Sequence, residues 1–408
     1  MEKNIKMKYP SYLKEFKCIG GKCKDSCCIG WDVDIDQITY RQYNKIEDKE
    51  IGRMVQRNIY KNDDYLSPDI DYGKVRLISG LRCPFLDGEN YCMIYSKIGE
   101  EYLSNGCTTF PRITNLVDGG YEMSLDVACP EAAKILLLKE DGIEFIESEI
   151  TLGKHIISNN FDIKSKEFNN SLIKYFKEIR AMSINIVKNR KFNLSQRLYI
   201  LGNFINAVEE EIKDKYINVP RFIEEYDMNL VSACYEKNPL SYINQMDFFE
   251  KMMGFLNVFE EVDSLSFKEY TRQIIAGFKF DEGEDIGKYS EMYIEAFEDY
   301  TENFIDNYSY IFENYLVNFI YNNMFPFSET DSAFDGYIML LTRYSFIRFY
   351  LVGKYQFNKY DSKEDIVEFI HVFSKVIGHH KTYLVDLLNY IKENKLDNIE
   401  FAKMLLPN

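Results

Sequence analysis

The sequence FKCIGGKCKDSCCIGW, residues 16–31, contains four cysteines: Cys18, Cys23, Cys27 and Cys28. The chain has 408 residues and nine cysteines, and eight of these lie in its first third. The other four of the eight are spaced more widely, and they are Cys83, Cys92, Cys107 and Cys129. Thiolates are the ligands of zinc, cuprous ion and iron–sulfur clusters. The eight cysteines therefore predict a metal or iron–sulfur site that uses a subset of them.

This interpretation requires the thiols to stay reduced. Residues Met1 to Phe16 are rich in lysine and contain no apolar stretch of the kind found in a signal peptide. No apolar run reaches the roughly 18 residues of a membrane-spanning helix. We therefore expect a cytoplasmic protein with no membrane partner, in which the thiols bind metal and do not form disulfides.

The residue type restricts the choice of metal, but the spacing of the cysteines does not identify the kind of centre. The first set reads C-x4-C-x3-C-C, which matches neither a zinc ribbon nor a bacterial ferredoxin. Cys23 and Cys27 fit the first half of C-x3-C-x2-C, the cluster-binding motif of a class of radical enzymes, but Gly30 occupies the position of its third cysteine. Cys27 and Cys28 point apart if the backbone is extended, and would then serve different sites or leave only one of the two as a ligand. One centre and two centres are both compatible with this pattern, whereas the lone Cys234 is predicted to be a small buried hydrophobe.

Composition and periodicity change near residue 130. Before it, glycine turns separate short alternating stretches such as 31–36 and 121–127, which are typical of strands. Cys129-Pro130-Glu131 marks a helix start, and apolar residues then recur every three or four positions. We predict a mainly α protein with a loop-rich cysteine module at 1–130 and a large helical domain at 131–408, with a candidate sub-boundary near 215–245. The clearest predicted helices are 168–187, 194–213, 289–304, 311–324, 336–352 and 363–377.

The formal net charge of -16 argues against a nucleic-acid partner, because binding to phosphates requires a cationic face. It suits a cationic partner such as a lysine-bearing protein. The most acidic segment, 281–313, is predicted to be a solvated helix face, and the alternative is a wall that attracts cationic substrates. The 32 tyrosines and 30 phenylalanines are expected mainly to fill a helical core.

Read with their neighbours, the cysteines form blocks in a fixed order, and two further blocks follow them. The blocks are 16–31, CPFL (83–86), CMIY (92–95), LS (103–104), CTTFPR (107–112), CPEAA (129–133), and ENYLVN (313–318) leading to FPF (325–327). In this order the chain resembles the flagellin lysine-N-methylase family, also called FliB. The amino-terminal part is similar to small cysteine-cluster proteins described as zinc- or iron-chelating domains.

The resemblance implies methyl transfer from S-adenosylmethionine to lysine side chains of flagellin, and an iron–sulfur cluster, with 4Fe-4S expected and zinc as the alternative. It also implies that Glu313, Asn314 and Asn318 line a substrate or donor pocket, although the i,i+4 pattern alone favours an exposed polar stripe. No glycine-rich dinucleotide-type turn is present, so neither the donor site nor the catalytic residues are identified. The alternative functions are a metal-binding or metal-delivery protein and a redox sensor.

Overall fold

The computed structural model describes residues 3–211, 217–232, 235, 240–280, 286–378 and 380–406. The chain divides into two compact units. The first comprises Met1–Ile135 and Glu144–Phe161, and the second comprises Leu136–Ile143 and Asp162–Asn408. The predicted cysteine Cys234 and the end of the predicted helix 194–213 lie outside the described residues.

The first unit contains a five-stranded sheet with the order β7-β1-β6-β5-β8. The alternating residues Ile5, Met7 and Tyr9 of β1 are buried against Met123 and Leu152, so one face of the sheet carries a small apolar core. The β5–β6 hairpin turns at Asp118 and Gly119, both with positive φ. The strands are β1 Lys3–Pro10, β5 Arg112–Val117, β6 Gly120–Leu125, β7 Phe145–Leu152 and β8 Ile157–Phe161.

The rest of this unit contains a three-stranded sheet, four short helices and the loops that carry most of the cysteines. The sheet has the order β2-β4-β3 and only two or three residues per strand. Its elements are β2 Asp34–Ile35, β3 Ile59–Lys61, β4 Gly73–Val75, α1 Gln37–Tyr43, α2 Lys49–Asn58, α3 Met93–Ile98 and α4 Asn105–Thr109. Strands this short bury little surface, so the segment relies on other interactions to hold its loops.

The second unit is helical in its described part. Every residue of its central helix from Ala333 to Lys354 is buried. Aromatic rings fill the space around that helix: Phe346 stacks on Phe249 with ring centres 4.9 Å apart, and Tyr350 stacks on Phe267 at 5.2 Å. The aromatic core expected from composition is therefore confirmed.

The helices follow in chain order after α5 Pro130–Leu137, which spans the boundary between the units. They are α6 Phe176–Val187, α7 Leu194–Glu210, α8 Val219–Glu225, α9 Met228–Ser232, α10 Leu240–Leu256, α11 Val258–Glu261, α12 Leu265–Phe278, α13 Ile286–Tyr300, α14 Ser309–Asn322, α15 Ala333–Asn358, α16 Lys363–Ile377, α17 Lys381–Glu393 and α18 Ile399–Leu405.

The predicted mainly α architecture agrees with this structure. The strands β7 and β8 lie within the segment predicted to be helical, and their pairing with the distant strands β1 and β5 decides their structure. Further differences occur at the ends of elements. The predicted helix at 168–187 starts only at Phe176, because two 3-10 turns precede it. The predicted helix at 289–304 ends at Tyr300 and continues as a π-helical turn, Thr301–Ile305. The alternating stretch 31–36 forms only the two-residue strand β2. Among the described residues no helix is long and apolar enough to span a membrane.

Two glycines allow α12 and α15 to approach closely. A Cβ on Gly277 would lie 2.5 Å from the carbonyl oxygen of Gly353, and a Cβ on Gly353 would lie 2.8 Å from the ring of Phe278. Gly254 of α10 is a useful contrast, because no atom lies within 4 Å of a Cβ built there. The first two positions require glycine for packing, and the third does not.

We expect Gly277→Ala to lower the free energy of unfolding by about 1–3 kcal/mol, because the two helix backbones would have to separate. Gly254→Ala is the matched control and should raise stability by about 0.5–1 kcal/mol, because alanine favours the helix and meets no obstruction. Urea midpoints of both variants test this. Equal midpoints for the two variants would contradict the close approach.

Candidate metal centre and buried carboxylate network

The two cysteine sets are joined through the backbone at Cys28 and Cys83. The N–H of Cys83 donates to the carbonyl of Cys28 at 2.9 Å, and the N–H of Gly30 donates to the carbonyl of Leu81 at the same distance. These bonds flank an antiparallel bridge between Ile29 and Arg82. Residues 55 positions apart in the sequence are thus held side by side.

The following loop brings Cys92 back to the same place. Leu86 forms an antiparallel bridge with Cys92, and the N–H of Met93 donates to the carbonyl of Phe85 at 2.8 Å. Cys83 is buried in an apolar cluster with Phe85, and the partly buried Cys28 and Cys92 pack against that cluster. Three of the predicted ligands therefore share one apolar base.

Cys107 is positioned by the caps of two helices. The N–H of Cys107 donates to the side chain of Ser104, the N-cap of α4, at 3.2 Å. The buried carboxylate of Asp36 accepts from the N–H of Thr39 in α1 and from the N–H of Asn105 in α4, both at 2.9 Å. One aspartate therefore fixes the starts of both helices, and with them the position of Cys107.

The pKa shifts of the thiols show which of them are neighbours. Burial raises the pKa of Cys83 to about 12, and the nearby thiols of Cys28, Cys107 and Cys92 add to the rise. Desolvation also raises the pKa of Cys129, to about 11, and the thiols of Cys23 and Cys18 contribute. The cysteines thus form two neighbourhoods, one containing Cys28, Cys83, Cys92 and Cys107, and the other containing Cys18, Cys23 and Cys129.

Cys27 belongs to both neighbourhoods. Its pKa is raised first by the hydrogen bond to the Cys28 thiolate and then by desolvation and by the charges of Cys28, Cys107 and Cys18. The backbone at Cys27 and Cys28 forms a turn and is not extended. The condition under which these two side chains would point apart is therefore not met, and the hydrogen bond between their sulfur atoms places them together.

The same hydrogen bond lowers the pKa of Cys28. Besides the Cys27 thiol, the hydroxyl of Ser26 and the positive charge of Arg82 stabilise the Cys28 thiolate, against the opposing effect of burial. Cys28 is only partly exposed, whereas Cys27 is exposed. Ionisation and accessibility therefore favour different members of this pair.

The donor chemistry of this region fits a soft metal or an iron–sulfur cluster. All eight cysteines are free thiols, and their mutual pKa effects place them within electrostatic reach of one another. Within the described ranges, no three His, Cys, Asp or Glu side chains are already arranged around one metal position. Metal binding and the ligand subset therefore stay predictions.

The second group of predicted residues, on α14, lies in a buried network of the helical unit. The side chain of Glu313 is 2% exposed and binds two arginines. The Nε and Nη2 of Arg190 each donate to it at 2.9 Å, and the Nη1 of Arg197 donates at 2.7 Å. Arg197 also donates to the carbonyls of Val187 and Phe192. Glu313 thus joins α14 to the end of α6 and the start of α7.

Asn314 joins α14 to the end of α5 and the residues that follow it. Its Nδ2 donates to the carbonyls of Leu137 at 3.2 Å and Lys139 at 2.8 Å, and among the described residues its Oδ1 has no hydrogen-bond partner. Asn318 and Asn322 are buried as well. The exposed-stripe interpretation of this row is wrong, and the role of Glu313, Asn314 and Asn318 in a pocket stays a prediction.

The predicted solvated face of 281–313 is confirmed where its side chains are described. Glu291, Glu295, Glu298 and Glu302 are exposed, and Glu313 is the buried exception. The side chains of residues 281–290 lie outside the described residues.

Sequence reasoning missed the buried cations that support these helices. Arg343, Arg348 and Lys354 occupy the fully buried part of α15. Arg343 pairs with Glu329, and Lys354 pairs with Asp361 at 2.8 Å. The available signal was the presence of three cations inside a helix made largely of apolar and aromatic residues.

In metal-free reduced protein at pH 7, we expect iodoacetamide to alkylate Cys28 before Cys27, although Cys27 is more exposed. The reason is that thiolates react and Cys28 is the member of the pair that ionises first. Arg82→Met should slow alkylation of Cys28. Fragment-ion mass spectrometry of the peptide containing both residues measures the order, and faster labelling of Cys27 would contradict the thiolate assignment.

We expect Arg197→Met to destabilise the protein by about 3–5 kcal/mol, because it removes one partner of a buried carboxylate and leaves two carbonyls unpaired. Arg190→Met is the comparison. Its side chain is 46% exposed, so water replaces much of the lost interaction with Glu313. The loss of unfolding free energy should therefore be at least about 1 kcal/mol smaller than for Arg197→Met. Denaturant unfolding of both variants provides the measurement, and the opposite order would rule out this account of the network.

Comparison with known proteins connects these features to a family. Residues 180–405, more than half of the chain, match the family model described as the FliB lysine N-methylase C-terminal domain. This segment contains α7, α14 and α15, and therefore Arg197, Glu313 and the buried cations of α15. No solved structure matches the chain.

Individual relatives match over shorter stretches. The flagellar biosynthetic protein FliU of Salmonella muenchen is 30% identical over 170 residues, which cover 41% of this chain and 96% of FliU. Lysine-N-methylases of Salmonella typhimurium and Salmonella choleraesuis are each 31% identical over 152 residues. These matches cover 36% of this chain and 36% of the length of each methylase. With the family model matching more than half of its residues, the chain belongs to the FliB lysine N-methylase family.

Proposed function

We propose that this protein is a lysine N-methylase that transfers methyl groups from S-adenosylmethionine to lysines of a flagellar protein, with flagellin as the expected substrate. The observation that carries the proposal is the match of residues 180–405 to the FliB lysine N-methylase C-terminal domain. Two relatives carry the name lysine-N-methylase, and a third is named as a flagellar biosynthetic protein.

The charge of the protein supports a lysine-bearing substrate. The net charge of -16 includes the exposed acidic side chains of α13 and the π-helical turn that follows it. A surface of this kind attracts a cationic protein segment and raises its encounter rate, most strongly at low ionic strength.

S-Adenosylmethionine, when bound, supplies an electrophilic methyl group on a positively charged sulfur. The task of the chain is to align a neutral lysine nitrogen with that methyl group and to exclude water. The lysine ammonium must first lose a proton. An apolar, aromatic site favours this loss, because desolvation lowers the pKa of an amine.

The buried tyrosines do not supply the base for this step. Burial raises the pKa of Tyr293 and Tyr350 well above the ordinary value of 10, and the pKa of Tyr300 is raised by burial and by the nearby carboxylate of Asp361. These phenols are protonated at neutral pH and serve as hydrogen-bond donors. The lysine proton must pass to a carboxylate or to water.

An iron–sulfur cluster is proposed for the amino-terminal unit. The residues that would hold it are four of the eight clustered cysteines, and Cys28, Cys83, Cys92 and Cys107 form the better connected neighbourhood. When bound, a cluster supplies a multivalent crosslink in a segment whose strands are two or three residues long. Zinc bound by the same thiols would provide the same crosslink without redox chemistry.

The proposal predicts that protein purified without oxygen transfers labelled methyl from S-adenosylmethionine to flagellin lysines, and that it contains iron with an equal amount of acid-labile sulfide. Cys107→Ser should lower the metal content by at least about half, because it removes a ligand of the proposed set. Cys234→Ser is the matched control, since Cys234 lies far from the cysteine cluster in sequence, and it should retain both metal and activity.

The measurements are metal analysis and identification of methyl-lysine by mass spectrometry. Absence of methyl transfer from the metal-loaded protein would reject the methylase proposal. Zinc without iron would reject the cluster while leaving the methylase proposal standing.

A further inference from the structure

Arg348 lies in the buried part of α15 and is only 3% exposed. Its guanidinium carbon is 4.3 Å from the ring centre of Phe297 and 5.7 Å from that of Tyr344. The charge is thus enclosed by aromatic residues of α13 and α15 in the interior of the helical unit.

The hydrogen bonds of Arg348 are few and weak for a buried cation. Its Nη2 donates to Oγ1 of Thr301 at 3.1 Å, and its Nη1 donates to Oγ of Ser195 at 3.4 Å. Its Nε has no hydrogen-bond partner in the described part of the chain. A guanidinium has five N–H donors, so much of its capacity is unused.

Arg348 also differs from three other buried cations of the same unit. Arg197 contacts Glu313, Arg343 contacts Glu329, and Lys354 contacts Asp361. No carboxylate of the described residues forms an ion pair with Arg348. A buried charge without a counter-ion is strongly destabilising, and cation–π contacts with two rings offset only part of that cost.

Nearby carboxylates have a detectable influence but do not neutralise Arg348. The charge of Asp306 raises the pKa of Tyr344, and that of Glu298 raises the pKa of Tyr242, after the larger effect of burial in each case. Asp306 and Glu298 are exposed to water. Asp361 is already bound by Lys354.

The backbone beside Arg348 is irregular at the contact residue. Thr301 begins the π-helical turn Thr301–Ile305, and its hydroxyl donates to the carbonyl of Phe297 at 2.7 Å while accepting from Arg348. Single π-helical turns occur frequently at functional sites. Thr301 is half-buried, so the enclosed guanidinium is one residue away from the surface of the unit.

Neutral phenols surround the same charge. Burial raises the pKa of Tyr242, Tyr293 and Tyr344, and the Arg348 charge opposes the rise in each case, which places all three hydroxyls within its electrostatic reach. Protonated phenols and a guanidinium are hydrogen-bond donors. The Tyr293 hydroxyl already donates to Gln245, so the donor that remains unused beside these phenols in the described part of the chain is the Nε of Arg348.

We propose that Arg348 binds the carboxylate of a small-molecule ligand within the helical unit. A carboxylate fits the planar fork of a guanidinium, and it supplies the missing counter-ion. The identification of this ligand as S-adenosylmethionine, through its amino-acid carboxylate, rests on the proposed function.

The test uses the anaerobically purified full chain and compares Arg348→Met and Arg348→Lys with Arg343→Met. Binding of S-adenosylhomocysteine, the stable product of the donor, is measured by calorimetry. Thermal unfolding is measured without ligand and with S-adenosylhomocysteine, L-methionine or sulfate. Arg343→Met is the matched control, because Arg343 is an equally buried arginine of α15 that already has a carboxylate partner.

We expect Arg348→Met to weaken binding of S-adenosylhomocysteine at least tenfold while the unliganded variant unfolds at the wild-type temperature or above it. Arg348→Lys should retain part of the affinity, because it keeps the charge without the planar fork. Arg343→Met should unfold at a lower temperature and bind the ligand with wild-type affinity.

Two results would overturn the proposal: Arg348→Met binding the ligand as tightly as wild type, or wild-type protein gaining no stability from any of the three probes. If methionine or sulfate stabilises wild type but not Arg348→Met, and S-adenosylhomocysteine does not bind, the anion site stands and the methyl-donor assignment fails. Conversely, an Arg348→Met protein that binds S-adenosylhomocysteine as tightly as wild type and still transfers methyl groups would overturn the anion site and leave the methylase proposal standing.

Discussion

The helical unit depends on the burial of α15 from Ala333 to Lys354. Every side chain from Ala333 to Lys354 is removed from water, so the helix is an axis around which its neighbours pack. Such a helix must be covered on all sides. The close glycine contact with α12 and the stacked rings of Phe249 and Phe267 provide part of that cover.

The buried part of α15 carries three cations, and each of them needs a partner that offsets its loss of hydration. Two of them, Arg343 and Lys354, meet carboxylates supplied by neighbouring segments, and Arg348 meets aromatic rings and hydroxyls. The same rule applies at Glu313, where two arginines neutralise a buried carboxylate. In each pair the desolvation of one charge is offset by contact with the other, so truncating one partner leaves a costly unpaired ion. These contacts therefore constrain how α6, α7, α14 and α15 can pack.

In the amino-terminal unit, the loops that carry the cysteines are held by hydrogen bonds and not by a large apolar core. The short strands of this unit bury little surface around the cysteines, and backbone bonds at Cys28 and Cys83, together with the double cap by Asp36, hold the loops in place. Burial makes these thiols resist ionisation, and each thiolate also repels the next. Cys28 is an exception, because the Cys27 thiol, Ser26 and Arg82 favour its thiolate. Binding of a cation by these thiols would relieve the repulsion, which is why metal binding and folding are coupled in such segments.

The sequence by itself determined the mainly α class and the approximate positions of several helices, including both ends of α16, because apolar periodicity and capping residues act over a few positions. It also determined that the cysteines are candidate ligands, since residue type fixes ligand chemistry. Only the tertiary structure decided that Cys27 and Cys28 lie together, that Asn314 and Asn318 are buried, and that Arg348 has no carboxylate partner among the described residues, whereas Arg197 has one. The reason is that partners such as Arg197 and Glu313 lie more than a hundred residues apart, and local pattern carries no information about which distant groups meet.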